Sequence, residues 1–351
     1  MIDRLFTQCM LRPSDLKPQH DGMKIIGTFN PGVVETPTGI VLLARICEAP
    51  IEQRAGHHAS PRIDSQGDLA IDYLADVDYD TSDPRTLTRL RDKCMRLRFI
   101  SYLRMFRSSD GKTIDDLDGP VIAPQGEYEI YGIEDPRITR ISDTYYITYV
   151  AVSPHGVSTA LISTTDFKTF KRHGIIFCPE NKDVVLFPRK VLGQYMAMHR
   201  PVPAMRFVSP QIWLARSTDM IHWGAHTPLD ITNQSWQNDR IGGGTPPIDT
   251  REGFLTIYHG SQNTNSKSGV GIYTAGALLL DRDNPAHVIS HTTEPIMQPE
   301  ADFERCGFVD NVIFPTAIIE RDDELWVYYG AADERVGVTA LRRADVLNAL
   351  H

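Results

Sequence analysis

The run Tyr131-Gly132-Ile133-Glu134-Asp135-Pro136-Arg137 sets two adjacent carboxylates and a guanidinium around a proline. Carboxylates placed this way can exchange protons with a substrate, and the arginine can orient them. Pro136 biases Asp135 toward an extended conformation and away from helix. In an extended segment successive side chains point to opposite faces. Only one of Glu134 and Asp135 is then expected to face a site, while the other pairs with a basic group. Standing alone, an Asp-Pro step is also an ordinary solvated turn.

Five further segments combine polar groups with glycine or proline. They are Phe29-Asn30-Pro31-Gly32; Glu180-Asn181-Lys182-Asp183 with His199-Arg200-Pro201; Asp239-Arg240-Ile241-Gly242-Gly243-Gly244; Tyr258-His259-Gly260; and Tyr329-Gly330-Ala331-Ala332-Asp333. Each has a plain structural reading. Lys182 beside Asp183 reads as a surface ion pair. Arg200 reads as the partner of a core carboxylate, and His259 as a structural histidine. The glycine run 242–244 reads as a tight turn, since no strand-then-helix context makes it a dinucleotide loop. His57-His58 lacks a third ligand at a supporting distance, so it reads as loop and no metal is expected.

Short β-type runs must position these groups. They fall at 40–46, 99–106, 145–152, 159–163, 194–199, 211–216, 254–259, 271–280, 325–329 and 336–341, with turn signals between them. Such a density of short strands predicts an all-β fold. A weak repeat runs beneath them: Arg107-Ser108-Ser109-Asp110-Gly111, Ser163-Thr164-Thr165-Asp166-Phe167 and Arg216-Ser217-Thr218-Asp219-Met220, with Leu280-Asp281-Arg282-Asp283 as a degenerate copy. The spacing of roughly fifty to sixty residues suits one four-stranded propeller blade per repeat, and the length then gives about five blades. A pair of sandwiched sheets with coincidental turns is the alternative. The polar stretch 51–90, with Asp76, Asp78, Asp80 and Asp83, lacks the glycine and glutamate of a calcium loop. It reads as an inserted loop beside the pocket mouth, or a short helix near 86–93. Residues 1–24 read as an N-terminal arm, a plausible contact between subunits of a homo-oligomer, and 1–351 as a single domain.

The chain has 351 residues, 41% of them hydrophobic, and a net charge of −9. That charge argues against a nucleic-acid partner or an anionic membrane surface, so any basic cluster is a local device. No apolar stretch is long enough to span a membrane. The first residues lack the layout of a secretory signal. The five scattered cysteines fit a reducing, cytoplasmic setting.

Taken together and in this order, with Phe187-Pro188, these runs resemble glycoside hydrolase family 130, the β-mannoside phosphorylases and related mannosidases. The resemblance extends from Phe29 to Asp333 and is weakest at 51–90. It implies a five-bladed β-propeller with a central pocket. It implies a mannoside oligosaccharide as substrate and inorganic phosphate as co-substrate in place of any cofactor. An inverting glycosidase needs two carboxylates, an acid and a base. A phosphorylase needs only the acid, because phosphate is the nucleophile and a cationic cluster holds it. By resemblance Asp135 is the acid, acting through the sugar's 3-hydroxyl. Lys182, Arg200, Arg240 and His259 hold the phosphate, with Arg240 where relatives often carry lysine. Asn30, Arg45 and Asp333 bind the mannosyl unit, while Arg104, Tyr131 and Arg137 belong to the pocket wall or orient Asp135. The implied reaction is phosphorolysis of a β-1,4- or β-1,2-mannoside to α-mannose 1-phosphate and a shortened acceptor. The alternatives are an inverting β-mannosidase, with Glu180 or Asp239 as base, and a non-catalytic glycan-binding propeller.

Overall fold

The computed structural model describes residues 1–205, 207–232, 234–262 and 270–350. Among them the strands form five principal antiparallel sheets, each with four strands in one path. Sheet I holds Met23–Thr36, Gly39–Pro50, Ile100–Ser108 and Val121–Ile122. Sheet II holds Ile133–Ile141, Thr144–Ser153, Gly156–Thr164 and Lys171–Phe177. Sheet III holds Asn181–Leu186, Tyr195–Pro201, Trp213–Ser217 and Gly224–Pro228. Sheet IV holds Arg240–Gly242, Phe254–Gln262, Ile272–Leu280 and Val288–His291, with Ile248–Asp249 paired off the path. Sheet V holds Ile313–Arg321, Glu324–Ala331, Arg335–Arg342 and, from the other end of the chain, Arg4–Leu11. The all-β expectation holds.

The sequence alternates so that both faces of each sheet are apolar. In Gly39–Pro50, Leu42, Ala44 and Ile46 pack toward Trp326, Tyr328 and Val338 of sheet V. The intervening Val41 and Leu43 pack toward Ile138, Ile147 and Tyr149 of sheet II. Leu161 and Phe177 of sheet II meet Val184 and Ala197 of sheet III. Val185 and Met198 of sheet III meet Phe254 and Leu278 of sheet IV. Leu255 and Ile257 of sheet IV meet Leu325 and Val327 of sheet V. Each sheet thus buries one face against the next, and the fifth returns to the first.

The Ser/Thr-Asp repeat closes the third strand of four sheets. Ser108, Thr164 and Ser217 each accept a hydrogen bond through the side-chain oxygen from the backbone N–H three residues on, at 2.8–2.9 Å. The donating residues Gly111, Phe167 and Met220 all have positive φ. Asp281 makes the reduced version, accepting from Asp283 and Asn284. Sheet V has no copy because its fourth strand is Arg4–Leu11 rather than a continuation of the third.

Two expectations are corrected. Residues 4–11 do not form a projecting arm; they pair with Arg335–Arg342 inside the same chain. Residues 51–90 do not form an irregular loop or a helix near 86–93. His57–Ile63 pairs with Leu69–Ala75, and Tyr79–Asp80, Thr86–Arg89 and Met95–Leu97 form a small sheet. His57 and His58 therefore lie on a strand. Among the described residues no group of metal-ligating side chains is placed to hold an ion, and no helix is long and apolar enough to cross a membrane.

Candidate active site

Each principal sheet presents its first strand at one edge, and the first strands of sheets I, II, III and V touch one another. Three of these strands break register at the same point. Shifts occur between Phe29 and Gly32, between Glu134 and Arg137, and between Lys182 and Val185. At each break one residue takes a left-handed backbone: Asn30 at φ 49°, Asp135 at φ 51° and Asp183 at φ 57°. Asn and Asp tolerate that region better than other side chains, because a short polar group can bond locally. The bulges re-aim these three polar groups toward one cavity of about 280 Å³.

Asn30, Arg45, Asp135, Lys182, Arg200, Arg240 and Asp333 all line that cavity. Asp135 Oδ1 accepts hydrogen bonds from Asn30 Nδ2 at 2.8 Å and Arg45 Nη1 at 3.0 Å. Arg45 Nη2 donates to Glu134 Oε1 at 2.7 Å, and its guanidinium lies 4.7 Å from the centre of the Phe29 ring. As expected, Asp135 lines the cavity while Glu134 pairs with a basic group, yet both reach the same guanidinium, which an unbroken strand would not allow. The bulge and the positive φ of Asp135 are the reason. Arg137 is buried behind them, donating to the carbonyls of Asp135, Pro136 and Gly244. It stands behind Asp135 rather than lining the cavity.

Elsewhere in the lining, two cations are anchored by carboxylates. Arg200 Nε donates to Asp183 Oδ2 at 2.6 Å, and Arg240 pairs with Asp239 at 2.6 Å. Lys182 lines the cavity beside them. His259 is fully buried, its Nε2 3.3 Å from Asp183 Oδ2. It stands behind the wall and braces Asp183. Asp183 is the residue that the sequence reading passed over as half of a surface pair; it is buried and joins Arg200 to His259. Its signal in the sequence is its place on the first strand of sheet III, matching Asn30 and Asp135. The 242–244 glycines have no positive φ and do not make a turn. A Cβ on Gly242 would strike Asp183 Oδ2 and come within 2.6 Å of His259 Nε2, so glycine there is a close-approach residue.

Arg104 and Tyr131 do not line the cavity. Arg45 pairs across the strands with Leu103, so Arg104 lies opposite Ala44 and projects to the other face, donating to Gln19 at 3.3 Å. Tyr131 precedes its strand and turns toward the 79–97 segment, with the Arg96 guanidinium 4.9 Å from its ring centre. It lines an adjoining cleft of about 390 Å³ that shares Glu180 with the central cavity.

Among the carboxyls lining the cavity, Asp135 and Asp333 are driven apart. Burial raises the acid constant of Asp135, but Arg45, Arg137 and Lys182 with the Asn30 hydrogen bond outweigh it and hold the group below the ordinary carboxylate range. Burial, reinforced by Asp135 and Glu134, pushes Asp333 up to about 6 against the pull of Arg85 and Arg45. Arg200 and His259 hold Asp183 well below the usual range despite its burial. Burial lowers the acid constant of His259 against the opposing pull of Asp183.

A family model described as beta-1,4-mannooligosaccharide phosphorylase matches residues 98–351. The beta-1,2-mannobiose phosphorylase of Listeria innocua is 37% identical to this chain, over 97% of it and 96% of the relative. The beta-1,4-mannooligosaccharide phosphorylase of Ruminococcus albus is 32% identical over 74% of this chain and 78% of its own. The solved structure of the Listeria innocua enzyme with beta-1,2-mannobiose superposes with a TM-score of 0.90, covering 97% of this chain and 96% of that one. A mannoside-phosphorylase-family structure at 20% identity and TM-score 0.70 shares the fold. With these similarities across its length, the chain belongs to glycoside hydrolase family 130, the family of the β-mannoside phosphorylases.

Proposed function

We propose that this enzyme phosphorolyses a β-1,2-linked mannoside, giving α-mannose 1-phosphate and an acceptor shortened by one unit. The observation that carries the reading is that Asp135 shares a single cavity with Lys182, Arg200 and Arg240. Three cations in a partly desolvated wall bind a phosphate dianion through charge-assisted hydrogen bonds. A phosphate oxygen attacks the anomeric carbon from that wall while the bond to the leaving oxygen breaks on the opposite face, so the configuration inverts. The leaving oxygen takes its proton from Asp135 through the mannosyl 3-hydroxyl. Asn30, Arg45 and Asp333 hold the mannosyl unit. His259 acts through Asp183, fixing Arg200 rather than touching phosphate itself.

A hydrolase would need a carboxylate base facing that wall. Asp239 is engaged by Arg240, and Glu180 Oε1 accepts from the Val157 N–H at 3.2 Å. The cationic wall therefore favours phosphate over water as nucleophile. The linkage follows the relative matched along nearly its whole length, a beta-1,2-mannobiose phosphorylase. The five sheets, with Arg4–Leu11 completing the last, are read as the blades of a five-bladed propeller around this cavity. The test is release of mannose 1-phosphate from β-1,2- and β-1,4-mannobiose with and without inorganic phosphate. Phosphate-dependent product from the β-1,2 disaccharide is expected. Equal release of free mannose without phosphate overturns the reading.

A further inference from the structure

The central cavity is walled by residues of the five principal sheets and their immediate connections, with one exception. Arg85 belongs to the 51–90 segment, lies outside the region matched by the family model, and still lines the cavity. The local sequence, Asp83-Pro84-Arg85, fixes it. Asp83 Oδ1 accepts from the Arg85 backbone N–H at 2.9 Å and from Nε at 3.0 Å, and Asp83 Oδ2 accepts from Nη2 at 2.7 Å. The Arg98 N–H donates to the Arg85 carbonyl at 3.2 Å, tying the turn to the strand that enters sheet I. A guanidinium clamped along one edge has lost its rotamer freedom before any ligand arrives, and its Nη1 edge remains for one. Arg85 also faces Asp333, and the two groups act on each other electrostatically.

We infer that Arg85 is a substrate-positioning residue supplied by the 51–90 segment, which together with Asp333 brackets neighbouring hydroxyls of the sugar on the side of the cavity away from the phosphate. A carboxylate accepts from one hydroxyl while a guanidinium donates to the next, a complementary arrangement for a vicinal diol. The proposed function gives phosphate to Lys182, Arg200 and Arg240, so the effect of Arg85 is expected on the sugar rather than on the anion. The small sheet Tyr79–Asp80, Thr86–Arg89 and Met95–Leu97 gains a reason to exist: it holds this one side chain at the cavity. The inference rests on the sugar-binding side of the proposed function but does not depend on phosphate as nucleophile.

The test uses the full-length protein and three variants, Arg85→Gln, Arg85→Lys and Asp83→Asn. Loss of a charge-assisted hydrogen bond to substrate is expected to raise the mannobiose KM of Arg85→Gln by roughly 10–100-fold, with the phosphate KM within about twofold of wild type. Calorimetric titration with mannobiose in the absence of phosphate is expected to weaken in parallel. The Asp333 limb of the pH profile is expected to move upward in Arg85→Gln and return in Arg85→Lys, which restores the charge but not the fork. Asp83→Asn keeps the guanidinium and frees it, so an intermediate KM is expected and the inference stays testable if Arg85→Gln does not fold. Unchanged mannobiose binding in both Arg85→Gln and Asp83→Asn overturns the inference, as does an equal rise in both KM values. If wild type turns over without phosphate, the nucleophile assignment fails, while the calorimetric comparison still decides the role of Arg85.

Discussion

Asp333 and Asp135 share one cavity and respond to it in opposite directions, which gives each a distinct pH signature. Asp333 has its acid constant raised from 3.8 to about 6 in the folded chain. Between those values the folded state holds a proton that the unfolded state has released. Its favourable contribution is therefore complete below pH 3.8 and is lost as pH rises through about 6. Replacing it by Asn removes a charge buried at a cost of up to about 3 kcal/mol. Asp333→Asn is expected to melt higher than wild type at pH 7.5, with the gap closing below pH 4. A melting series across pH checks this, and a constant gap would exclude it. Asp135 is held as a carboxylate by Arg45, Arg137 and Lys182, although an acid catalyst must carry a proton. A phosphate dianion beside Lys182 and Arg200 cancels part of that field. The alkaline limb of kcat at saturating phosphate is accordingly expected at higher pH than the limb of kcat/KM measured at low phosphate. Coincident limbs would show that phosphate does not load the acid. Residue types and their order made Asn30, Arg45, Asp135, Lys182, Arg200, Arg240 and Asp333 legible in the sequence. Arg104, placed at the pocket by resemblance, lies outside it because strand alternation turns it to the face opposite Arg45. Arg85 and Asp183 were missed because each has an adjacent or near-adjacent opposite charge that suggests a solvated pair.

Two devices recur from sheet to sheet, and they differ in how visible they are. The Ser/Thr-x-x turn closing the third strands could be read as a repeat because it is written in side chains. Thr164→Val leaves the buried Phe167 N–H without its 2.9 Å acceptor, at an expected cost of about 1–3 kcal/mol and no change in kcat. Ser217→Ala, acting on Met220, is expected to behave alike. Denaturant midpoints and steady-state rates on the same samples check the pair; a change in kcat at full folding would contradict a purely structural turn. The bulge on the first strands is written in backbone angles, and only Asn and Asp at its centre betray it. Pro31 and Pro136 follow two of the three centres, but Val184 follows Asp183, so no common motif marks all three. The same bulge explains why Glu134 and Asp135 reach the same guanidinium despite strand alternation. Close packing was equally hidden at Gly242. Gly242→Ala forces Asp183 and His259 apart, and is expected to raise the phosphate KM at least tenfold while leaving mannobiose binding intact, with overpacking costing about 1–3 kcal/mol.

At the scale of the whole chain, the density of strands and the spacing of the repeat predicted the sheet class, but nothing local in residues 1–24 showed that they complete the last sheet. That pairing joins positions more than three hundred apart, and its determinants sit at the far end of the sequence. Arg4 Nη1 bonds Glu304 Oε1 at 2.7 Å, and Tyr329 OH reaches the same oxygen at 2.5 Å. Glu304 is fully buried, and its other oxygen accepts from the N–H groups of Glu300 and Ala301. Met10 and Leu11 enter the core shared by sheets I and V. Removing residues 1–12 would strip the outer strand from Arg335–Arg342, expose a sheet edge, and leave Glu304 as a buried charge without its cation. Because each sheet is braced by its neighbours, loosening sheet V also releases Asp333 and the first strand of sheet I, which carries Asn30. The truncated chain is thus expected to lose both melting temperature and activity, although no deleted residue lines the cavity. Arg4→Leu isolates the ion pair from the strand and is expected to cost about 3–5 kcal/mol by leaving Glu304 uncompensated. A synthetic peptide of residues 1–12 added to the truncated chain should restore activity if strand pairing is what closes the fold. Wild-type melting and turnover in the truncated chain would show instead that the sheets hold their cavity without that closure.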